Sequence, residues 1–132
     1  MILVDTSAWV EFLRATGGEV HLRLRGLLDA GEEIGTTEVV VMEILAGARS
    51  DREREDLRRL LYGRCAFLAL HAPSDYERAA ELFRRCRLGG ETVRKLTDCL
   101  VAVIAIRAQT ELLHRDRDFE AIARHAPLRL VA

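Results

Sequence analysis

Four acidic residues stand where the sequence gives carboxylates little access to water. Asp5 and Asp116 each come just after a short apolar run, Glu43 lies within an apolar stretch, and Asp98 opens another. Burying an ionised carboxylate without a partner costs several kcal/mol. Each of these acids therefore needs a neighbouring cation or must be neutral.

Carboxylates that meet in one crevice repel one another and cannot all ionise unaided. Hard divalent cations relieve that repulsion, because Mg²⁺ and Mn²⁺ take carboxylate oxygens as ligands and keep waters for a substrate phosphate. Ions held in this way supply a nucleophilic water and neutralise charge at phosphorus during phosphodiester hydrolysis. The four acids together predict a Mg²⁺ site, in which Mn²⁺ can substitute, that acts on a polyanion.

Each acid also has an ordinary structural interpretation. Asp5 and Asp98 suit a helix N-cap or first turn, where the helix dipole favours negative charge. Asp116 suits a turn, and Asp118, which precedes the last predicted helix, is the better candidate for its cap. Glu43 fits an exposed sheet edge or a pair with an arginine. Taken one at a time, these interpretations remain open.

The elements that must position these acids alternate between short apolar strands and amphipathic helices. This alternation predicts an α/β fold, a three-layer α/β/α sandwich with a central parallel sheet of four to five strands. Strands are predicted at residues 2–4, 34–36, 66–70 and 112–114, with a candidate fifth at 128–131. Helices are predicted at residues 7–14, 20–28, 39–48, 51–61, 73–88, 99–106 and 119–125.

Aromatic residues follow the helical spacing of the predicted core. Tyr76 begins an apolar stripe on the helix that Pro73 opens, and Trp9 and Phe12 share one side of the first helix. Such spacing predicts packing in the core or at a subunit interface rather than stacking on bases.

Length and composition limit the class of protein. A chain of 132 residues with 49% hydrophobic and 31% charged residues is typical of one folded domain, residues 1–132, and excludes a disordered chain. No apolar run approaches the roughly 20 residues of a membrane span, and no basic leader precedes the first strand. The scattered cysteines (Cys65, Cys86 and Cys99) indicate buried thiols and a cytoplasmic protein.

Specific motifs resemble the PIN-domain ribonucleases, and more narrowly the VapC-type toxins of bacterial toxin–antitoxin pairs. They are the opening Met-Ile-Leu-Val-Asp-Thr-Ser-Ala-Trp, Glu43 inside an apolar helix, Thr97-Asp98 before another, and Leu-Leu-His-Arg-Asp-Arg-Asp-Phe at residues 112–119. The resemblance covers essentially the whole chain. It implies a single PIN domain with a parallel sheet and the activity of a Mg²⁺- or Mn²⁺-dependent endoribonuclease.

The resemblance also assigns roles to individual residues. The implied catalytic and metal-binding acids are Asp5, Glu43, Asp98 and Asp116, with Asp118 as an auxiliary metal ligand. The residue after the first acid, Ser or Thr in the family, corresponds to Thr6 or Ser7. One departure concerns His114, where the family more often has Ser or Thr, and strand packing is the expected role of this imidazole.

Basic residues near the acids are the predicted RNA contacts. Arg94 and Lys95 lie in the loop before Asp98, and Arg115 directly precedes Asp116. Lys95 is the only lysine, so that 19 of the 20 basic residues are arginines, whose forks match phosphate oxygens. A GC-rich genome explains this ratio equally well.

The resemblance implies partners as well: an RNA substrate, a second copy of the chain in a homodimer, and a VapB-like antitoxin, with no membrane. Antitoxins of this family lay a C-terminal segment over the toxin and direct a basic side chain towards the acids. We expect its groove between the helix that carries Trp9, Phe12 and Leu13 and the helix that carries Val20, Leu24 and Leu28.

Two other functions compete with this interpretation. An aspartyl-phosphate phosphatase of the haloacid dehalogenase type also begins with an apolar strand and an Asp, but its Asp-x-Asp motif has Ser7 here in the second position. A non-catalytic α/β dimerisation or binding module would use the same acids only as helix caps. Metal-dependent cleavage of RNA by the purified protein separates these classes.

Overall fold

A four-stranded parallel sheet forms the middle layer of the fold in the computed structural model, which describes all 132 residues. The strands are β1 (Ile2–Val4), β2 (Ile34–Thr36), β3 (Ala66–Phe67) and β4 (Glu111–Leu113), in the spatial order β3-β2-β1-β4. Ile2 lies opposite Ile34 on one side and Glu111 on the other. The predicted parallel sheet of an α/β sandwich is confirmed.

The strand order places a topological switch point at the centre of the sheet. From β1 the chain moves outward to β2 and β3, and it then returns to pair β4 with the other side of β1. In open α/β sheets, ligands bind beyond the carboxyl ends of the strands at such a switch point. Asp5 follows β1 directly, and Asp116 lies three residues after the end of β4.

Seven helices cover the sheet. They are α1 (Thr6–Leu13), α2 (Glu19–Asp29), α3 (Glu38–Ala46), α4 (Asp51–Arg64), α5 (Ser74–Leu88), α6 (Leu96–Ala108) and α7 (Arg117–Ala123). In α6, residues 98–105 are all buried, because this helix packs against α3, α5, α7 and β4. A helix with apolar residues on all sides requires such a position between other elements. None of the seven combines the length and apolar character that a membrane crossing requires.

The sheet is shorter at its edges than the sequence predicts. The third strand has two residues rather than the five of residues 66–70, because its partner β2 ends at Thr36, whose carbonyl accepts the last sheet hydrogen bond from Leu68 at 2.8 Å. Beyond it, the backbone N–H of Leu70 donates to a carboxylate oxygen of Glu38 at 2.6 Å. A fifth strand at residues 128–131 is absent. Only Leu130 bridges Leu112, and two backbone hydrogen bonds hold that contact.

The buried face of α5 begins one residue earlier than predicted. Tyr76 is 55% exposed, so its assignment to the buried stripe was wrong, and the buried positions are Asp75, Ala79, Leu82 and Cys86. These positions have helical spacing, but the first of them is an acid. Hydrophobicity alone therefore assigned the stripe to the wrong side of the first turn.

An ion pair with Arg107 of α6 makes the burial of Asp75 possible. The Arg107 guanidinium donates to both carboxylate oxygens at 2.9 and 3.3 Å, and the backbone N–H of His71 donates to Oδ2 at 2.8 Å. Burial works to raise the pKa of Asp75, but these hydrogen bonds outweigh it and hold the pKa below the ordinary value. The pair joins the segment after β3 to the central helix.

We expect the substitution Asp75→Asn to lower the free energy of unfolding by about 3 kcal/mol near neutral pH, because it leaves the Arg107 charge without its partner. The deficit should shrink in acid. A carboxyl with a lowered pKa stabilises the fold above its unfolded pKa, near 3.8, and loses that contribution as pH falls through the lower folded value. Urea denaturation at several pH values measures this.

The matched control is Asp29→Asn on α2, where the Asp29 side chain is 73% exposed and pairs with Arg25 at 3.8 Å. Exposed pairs contribute about 0–1 kcal/mol, so this variant should stay close to the original protein. Equal losses in the two variants would contradict the role given to the Asp75–Arg107 pair.

Candidate metal centre

The structure brings the four acids singled out by the sequence to one end of the sheet. Asp5 follows β1, Asp116 follows β4, Glu43 lies on α3 and Asp98 lies in the first turn of α6. Burial works to lower the pKa of the Lys95 ammonium, but the charges of Asp98, Glu43, Asp116 and Asp5 together raise it. All four carboxylates therefore lie close to one ammonium group.

Three of the acids come close enough to share one ion. Asp98, Asp116 and Asp118 each offer a carboxylate oxygen, and these atoms lie within 4.8 Å of one another. Asp98 and Asp118 are buried, with 2% and 3% of their surface exposed. Oδ2 of Asp98 is buried without a hydrogen-bond partner, and an unsatisfied buried acceptor is costly. Clustered carboxylate oxygens with one buried and unpartnered fit a hard divalent cation.

The electrostatic state of Asp98 reflects this crowding. Burial, and then the charges of Asp5, Asp116 and Asp118, raise its pKa to about 7 in spite of the opposing effect of Lys95. Of the two helix positions that the sequence allowed for Asp98, the structure shows the first turn and not the N-cap, because α6 begins at Leu96 and Asp98 is its third residue. A first-turn acid still benefits from the helix dipole.

The two acids after β4 do not have the local roles that the sequence predicted for them. Asp116 is the N-cap of α7, where its Oδ1 accepts the backbone N–H of Asp118 at 2.9 Å. The prediction that Asp118 is the cap was therefore wrong. Asp118 lies inside the first turn and accepts hydrogen bonds from the backbone N–H and the Nε of Arg94, at 3.1 and 3.2 Å to Oδ2. That long-range partner accounts for its burial.

Asp5 has the capping role that the sequence allowed for it. Its Oδ2 caps α1 by accepting the backbone N–H and the hydroxyl of Ser7, at 2.9 and 2.6 Å. The Ser7 hydroxyl oxygen also accepts the backbone N–H of Arg115 at 2.9 Å, which ties the end of β1 to the loop after β4. Burial nevertheless raises the pKa of Asp5. Because these hydrogen bonds all fall on Oδ2, Oδ1 is free for another ligand.

Glu43 is held by a hydroxyl rather than by an arginine. The Thr6 hydroxyl donates to its Oε1 at 2.9 Å, which connects the start of α1 to α3. Glu43 is half-buried and takes part in no salt bridge, so neither the exposed edge nor the arginine pair considered from the sequence describes it. Its carboxylate faces the acid cluster, and one of its two oxygens, Oε1, is occupied by the hydrogen bond from Thr6.

The bases predicted to contact RNA lie at the rim of the cluster, and two of them point inward. A terminal nitrogen of the Arg94 guanidinium lies 2.8 Å from Oδ1 of Asp116, in addition to its contacts with Asp118. The Lys95 ammonium lies 3.7 Å from Asp98 and 3.9 Å from Asp116. Arg115 instead turns outward and pairs with Glu11 at 3.3 Å.

His114 has the packing role expected for it. Its ring centroid lies 5.3 Å from that of Phe119, and its Nδ1 accepts the backbone N–H of Asp116 at 3.1 Å. Burial lowers its pKa, so the imidazole is neutral at physiological pH and helps to fix the loop that carries Asp116.

Sequence reasoning missed the contact that anchors the loop before α6. Glu91 accepts hydrogen bonds from the Arg124 guanidinium and lies 3.0 Å from the ring of His125, both at the end of α7. These residues are 33 and 34 positions away along the chain, and no local pattern links them. The loop that carries Arg94 and Lys95 is therefore attached to the same helix that Asp116 caps.

Comparison with known proteins yields a family, a close relative and structural neighbours. The family model described as PIN domain matches residues 2–125. Ribonuclease VapC11 of Mycobacterium tuberculosis is 45% identical over 125 residues, or 94% of this chain and 92% of the relative. The VapBC2 structure from Rickettsia felis, bound to a fragment of promoter DNA, gives a TM-score of 0.75 at 18% identity, with 99% and 98% of the two chains covered. VapC20 of M. tuberculosis, described as a toxin that cleaves the sarcin-ricin loop, gives 0.73 at 19% identity, with 98% and 99% covered.

We expect Asp98→Asn to stabilise the ion-free protein by about 2–4 kcal/mol at alkaline pH, because it removes a buried charge. In the original protein, the protonated carboxyl of Asp98 favours folding because its pKa is raised in the folded state. That contribution is complete below the ordinary pKa of 3.8 and is lost as pH rises through the folded value of about 7. The two proteins should therefore be equally stable in acid and diverge towards alkaline pH. Urea denaturation in the presence of a chelator measures the difference.

Saturating Mg²⁺ should reduce this difference, since an ion that binds only the folded cluster stabilises the original protein. Asp56→Asn, a change of an exposed acid on α4, serves as the control and should be neutral at every pH. An advantage of Asp98→Asn that does not depend on pH would contradict the assignment.

Proposed function

Because the chain belongs to the PIN-domain family, and within it to the VapC ribonucleases, we propose that it is a metal-dependent endoribonuclease and the toxin of a toxin–antitoxin pair. The observation that carries this proposal is the gathering of Asp5, Glu43, Asp98 and Asp116 at the switch point of the sheet, with one Asp98 oxygen buried and unpartnered. The proposed reaction is hydrolysis of phosphodiester bonds in RNA.

The residues present fit Mg²⁺, with Mn²⁺ as a substitute. Asp98 and Asp116 are the central ligands of the proposed site, Asp5 and Glu43 complete its carboxylate set, and Asp118 is auxiliary. When bound, such an ion supplies an activated water and neutralises charge on the phosphoryl group. The protein contributes the fixed positions of the oxygens, and it excludes water from the buried Asp98 and Asp118.

Neighbouring side chains keep these acids in place for that reaction. Thr6 holds Glu43 through its hydroxyl, and Ser7 holds Asp5 together with the backbone of Arg115. Arg94, Lys95 and Arg115 form the basic rim proposed to bind RNA phosphates, since guanidinium and ammonium groups supply most of the affinity for a nucleic acid backbone. Thr6 and Ser7 complete the proposed substrate-binding set.

The geometry does not favour either competing function. A phosphoaspartyl phosphatase of the haloacid dehalogenase type has its second acid two residues after the first, and Ser7 occupies that position and binds Asp5 here. A non-catalytic module gains nothing from an unpartnered buried oxygen on Asp98. Helix capping accounts for Asp5 and Asp116 only.

The groove expected between α1 and α2 does not exist. Trp9 and Leu24 are fully buried because the two helices pack against each other, so this prediction was wrong. An open groove of about 460 Å³ lies on the other side of α1, with Val10, Leu13 and Leu57 among its lining residues. Its lining also includes Thr6 and Glu43, which places one end of it beside the acid cluster.

We propose this groove as the site of the antitoxin's C-terminal segment. Apolar side chains of the segment would pack between α1 and α4, and a basic side chain beyond them would reach Glu43 and its neighbouring acids. A guanidinium offers carboxylates a fixed charge and paired donors, so it would compete with the divalent ion as well as block RNA. The homodimer remains a prediction.

We expect Asp98→Asn and Glu43→Gln to lower the rate of RNA cleavage by at least about 100-fold, since each removes a charged oxygen ligand. Cleavage of purified bulk RNA with Mg²⁺, with Mn²⁺ and with a chelator measures both the loss and the need for metal. The exposed Asp56→Asn change should leave cleavage intact. Full cleavage in the chelator, or by Glu43→Gln protein, would contradict the proposed function.

For the groove, we expect Leu13→Glu to weaken binding of the partner encoded by the adjoining reading frame by at least about tenfold, with RNA cleavage preserved. Leu13 is 45% exposed, so a charge there is tolerated in the free protein but is costly once a bound apolar segment excludes water. Co-purification and titration calorimetry measure the change.

Leu88→Glu is the matched control, because Leu88 is 80% exposed at the end of α5 and does not line the groove. Unchanged binding by Leu13→Glu protein, or an equal loss in the control, would place the partner elsewhere.

A further inference from the structure

Lys95 occupies an unusual position for the only lysine of the chain. Its ammonium lies 3.7 Å from Oδ1 of Asp98 and 3.9 Å from Oδ2 of Asp116. Together with Asp118, these two acids form the group of carboxylates whose oxygens lie within 4.8 Å of one another. The ammonium thus supplies positive charge at the place where the ligand oxygens converge.

A divalent ion and this ammonium compete for the same two carboxylates. An ion held by Asp98 and Asp116 would be within a few ångströms of the Lys95 nitrogen, because that nitrogen lies 3.7 and 3.9 Å from their oxygens. Charges of +2 and +1 at that separation repel each other strongly even at the dielectric constant of water. This repulsion favours movement of the ammonium away from a bound ion.

The contacts of Lys95 are those of a group that leaves easily. Both distances exceed the 2.7–3.2 Å of a hydrogen bond, and the side chain is 52% exposed. Its flexible four-carbon stem allows the ammonium to move outward without a change in the backbone. Outward movement of the ammonium therefore breaks no hydrogen bond.

Arg94 is about as exposed as Lys95, at 55%, but it differs from Lys95 in its contacts. Its guanidinium makes hydrogen bonds with Asp116 and Asp118, and its backbone N–H makes another with Asp118. The preceding Val93 is buried, and Glu91 ties the same loop to α7. Arg94 therefore holds Oδ1 of Asp116, while Oδ2 of the same carboxylate faces Lys95.

We propose that Lys95 is a built-in counter-ion of the acid cluster, which a divalent ion displaces towards the rim of the site. This inference rests on the proposed function, because the ion is the one that function requires. Displacement gives Lys95 two successive roles. It offsets the repulsion of the carboxylates before the ion binds, and afterwards its ammonium is free for an RNA phosphate.

Because Lys95 is the only lysine, its release can be measured by acetylation with an amine-specific reagent. Peptide mass spectrometry gives the acetylation rate of Lys95 relative to that of the N-terminal amine, which serves as an internal control. At constant ionic strength, we expect saturating Mg²⁺ to raise this relative rate by at least about fivefold, since the freed ammonium is accessible and unpaired. An unchanged or lower relative rate overturns the proposal.

Calorimetric titration with Mn²⁺ gives a second measurement that does not depend on activity. We expect Lys95→Gln to bind Mn²⁺ about tenfold more tightly than the original protein, because the competing charge is gone. Lys95→Arg keeps the charge and should stay within about twofold. Arg87→Gln on the exposed side of α5 removes one charge that forms no ion pair with the acids and should also change little. Equal or weaker binding by Lys95→Gln protein overturns the proposal.

Mn²⁺ titration also separates a failure of the metal site from a failure of the role of Lys95. If the original protein binds no Mn²⁺, or binds it no better than Asp98→Asn protein does, the proposed metal site itself is wrong. If the original protein binds Mn²⁺ in a manner that requires Asp98, but Lys95→Gln binds it no more tightly, only the role of Lys95 is wrong.

Discussion

Mutual repulsion among carboxylates is the constraint on which the rest of this structure depends. The strand order brings the ends of β1 and β4 side by side, so that the acids following them meet whether or not their charges allow it. Four of the five acids are then restrained by hydrogen bonds. Ser7 binds Asp5, Thr6 binds Glu43, the α7 cap and Arg94 fix Asp116, and Arg94 alone fixes Asp118. Asp98 retains an unpartnered oxygen, and its raised pKa shows where repulsion and burial are least compensated.

The loop between α5 and α6 holds Arg94 and Lys95 against the acid cluster, and contacts on its other side support it. Gly89 ends α5 where the ring of His125 packs so closely that a Cβ at this position would lie 2.3 Å from Cε1. That close approach lets His125, with Arg124, reach Glu91. The two ends of α7 thus serve one purpose, because Asp116 caps its start and Glu91 is bound at its end. The loop between α5 and α6 is thereby set at a fixed distance from the acids.

How far the sequence predicted this arrangement depends on the range of the interactions involved. Apolar runs followed by acids located β1, β4 and the cluster, since burial of a short strand is a local property. The N-cap of α7 and the first buried residue of α5 were wrong by one or two positions. In both cases a distant arginine decided the outcome: Arg94 for Asp118, 24 residues away, and Arg107 for Asp75, 32 residues away. The prediction of a groove between α1 and α2 was wrong for a similar reason. The amphipathic spacing of each helix does not reveal that the two helices bury their apolar faces against each other.

Under the proposed function, ion, RNA and partner all compete for one set of charges, and this competition orders their binding. Ionised carboxylates repel an RNA phosphate, and Arg94 and Lys95 offset only part of their charge, so a bound divalent ion favours the approach of RNA. The ion in turn meets Lys95, and the partner's basic side chain would approach the same acids from the end of the groove at Glu43. Each cation neutralises the cluster, but only the divalent ion brings coordinated water with it. A charge supplied by a side chain therefore stabilises the acids and keeps the site inactive, whereas the same charge supplied by an ion makes hydrolysis possible.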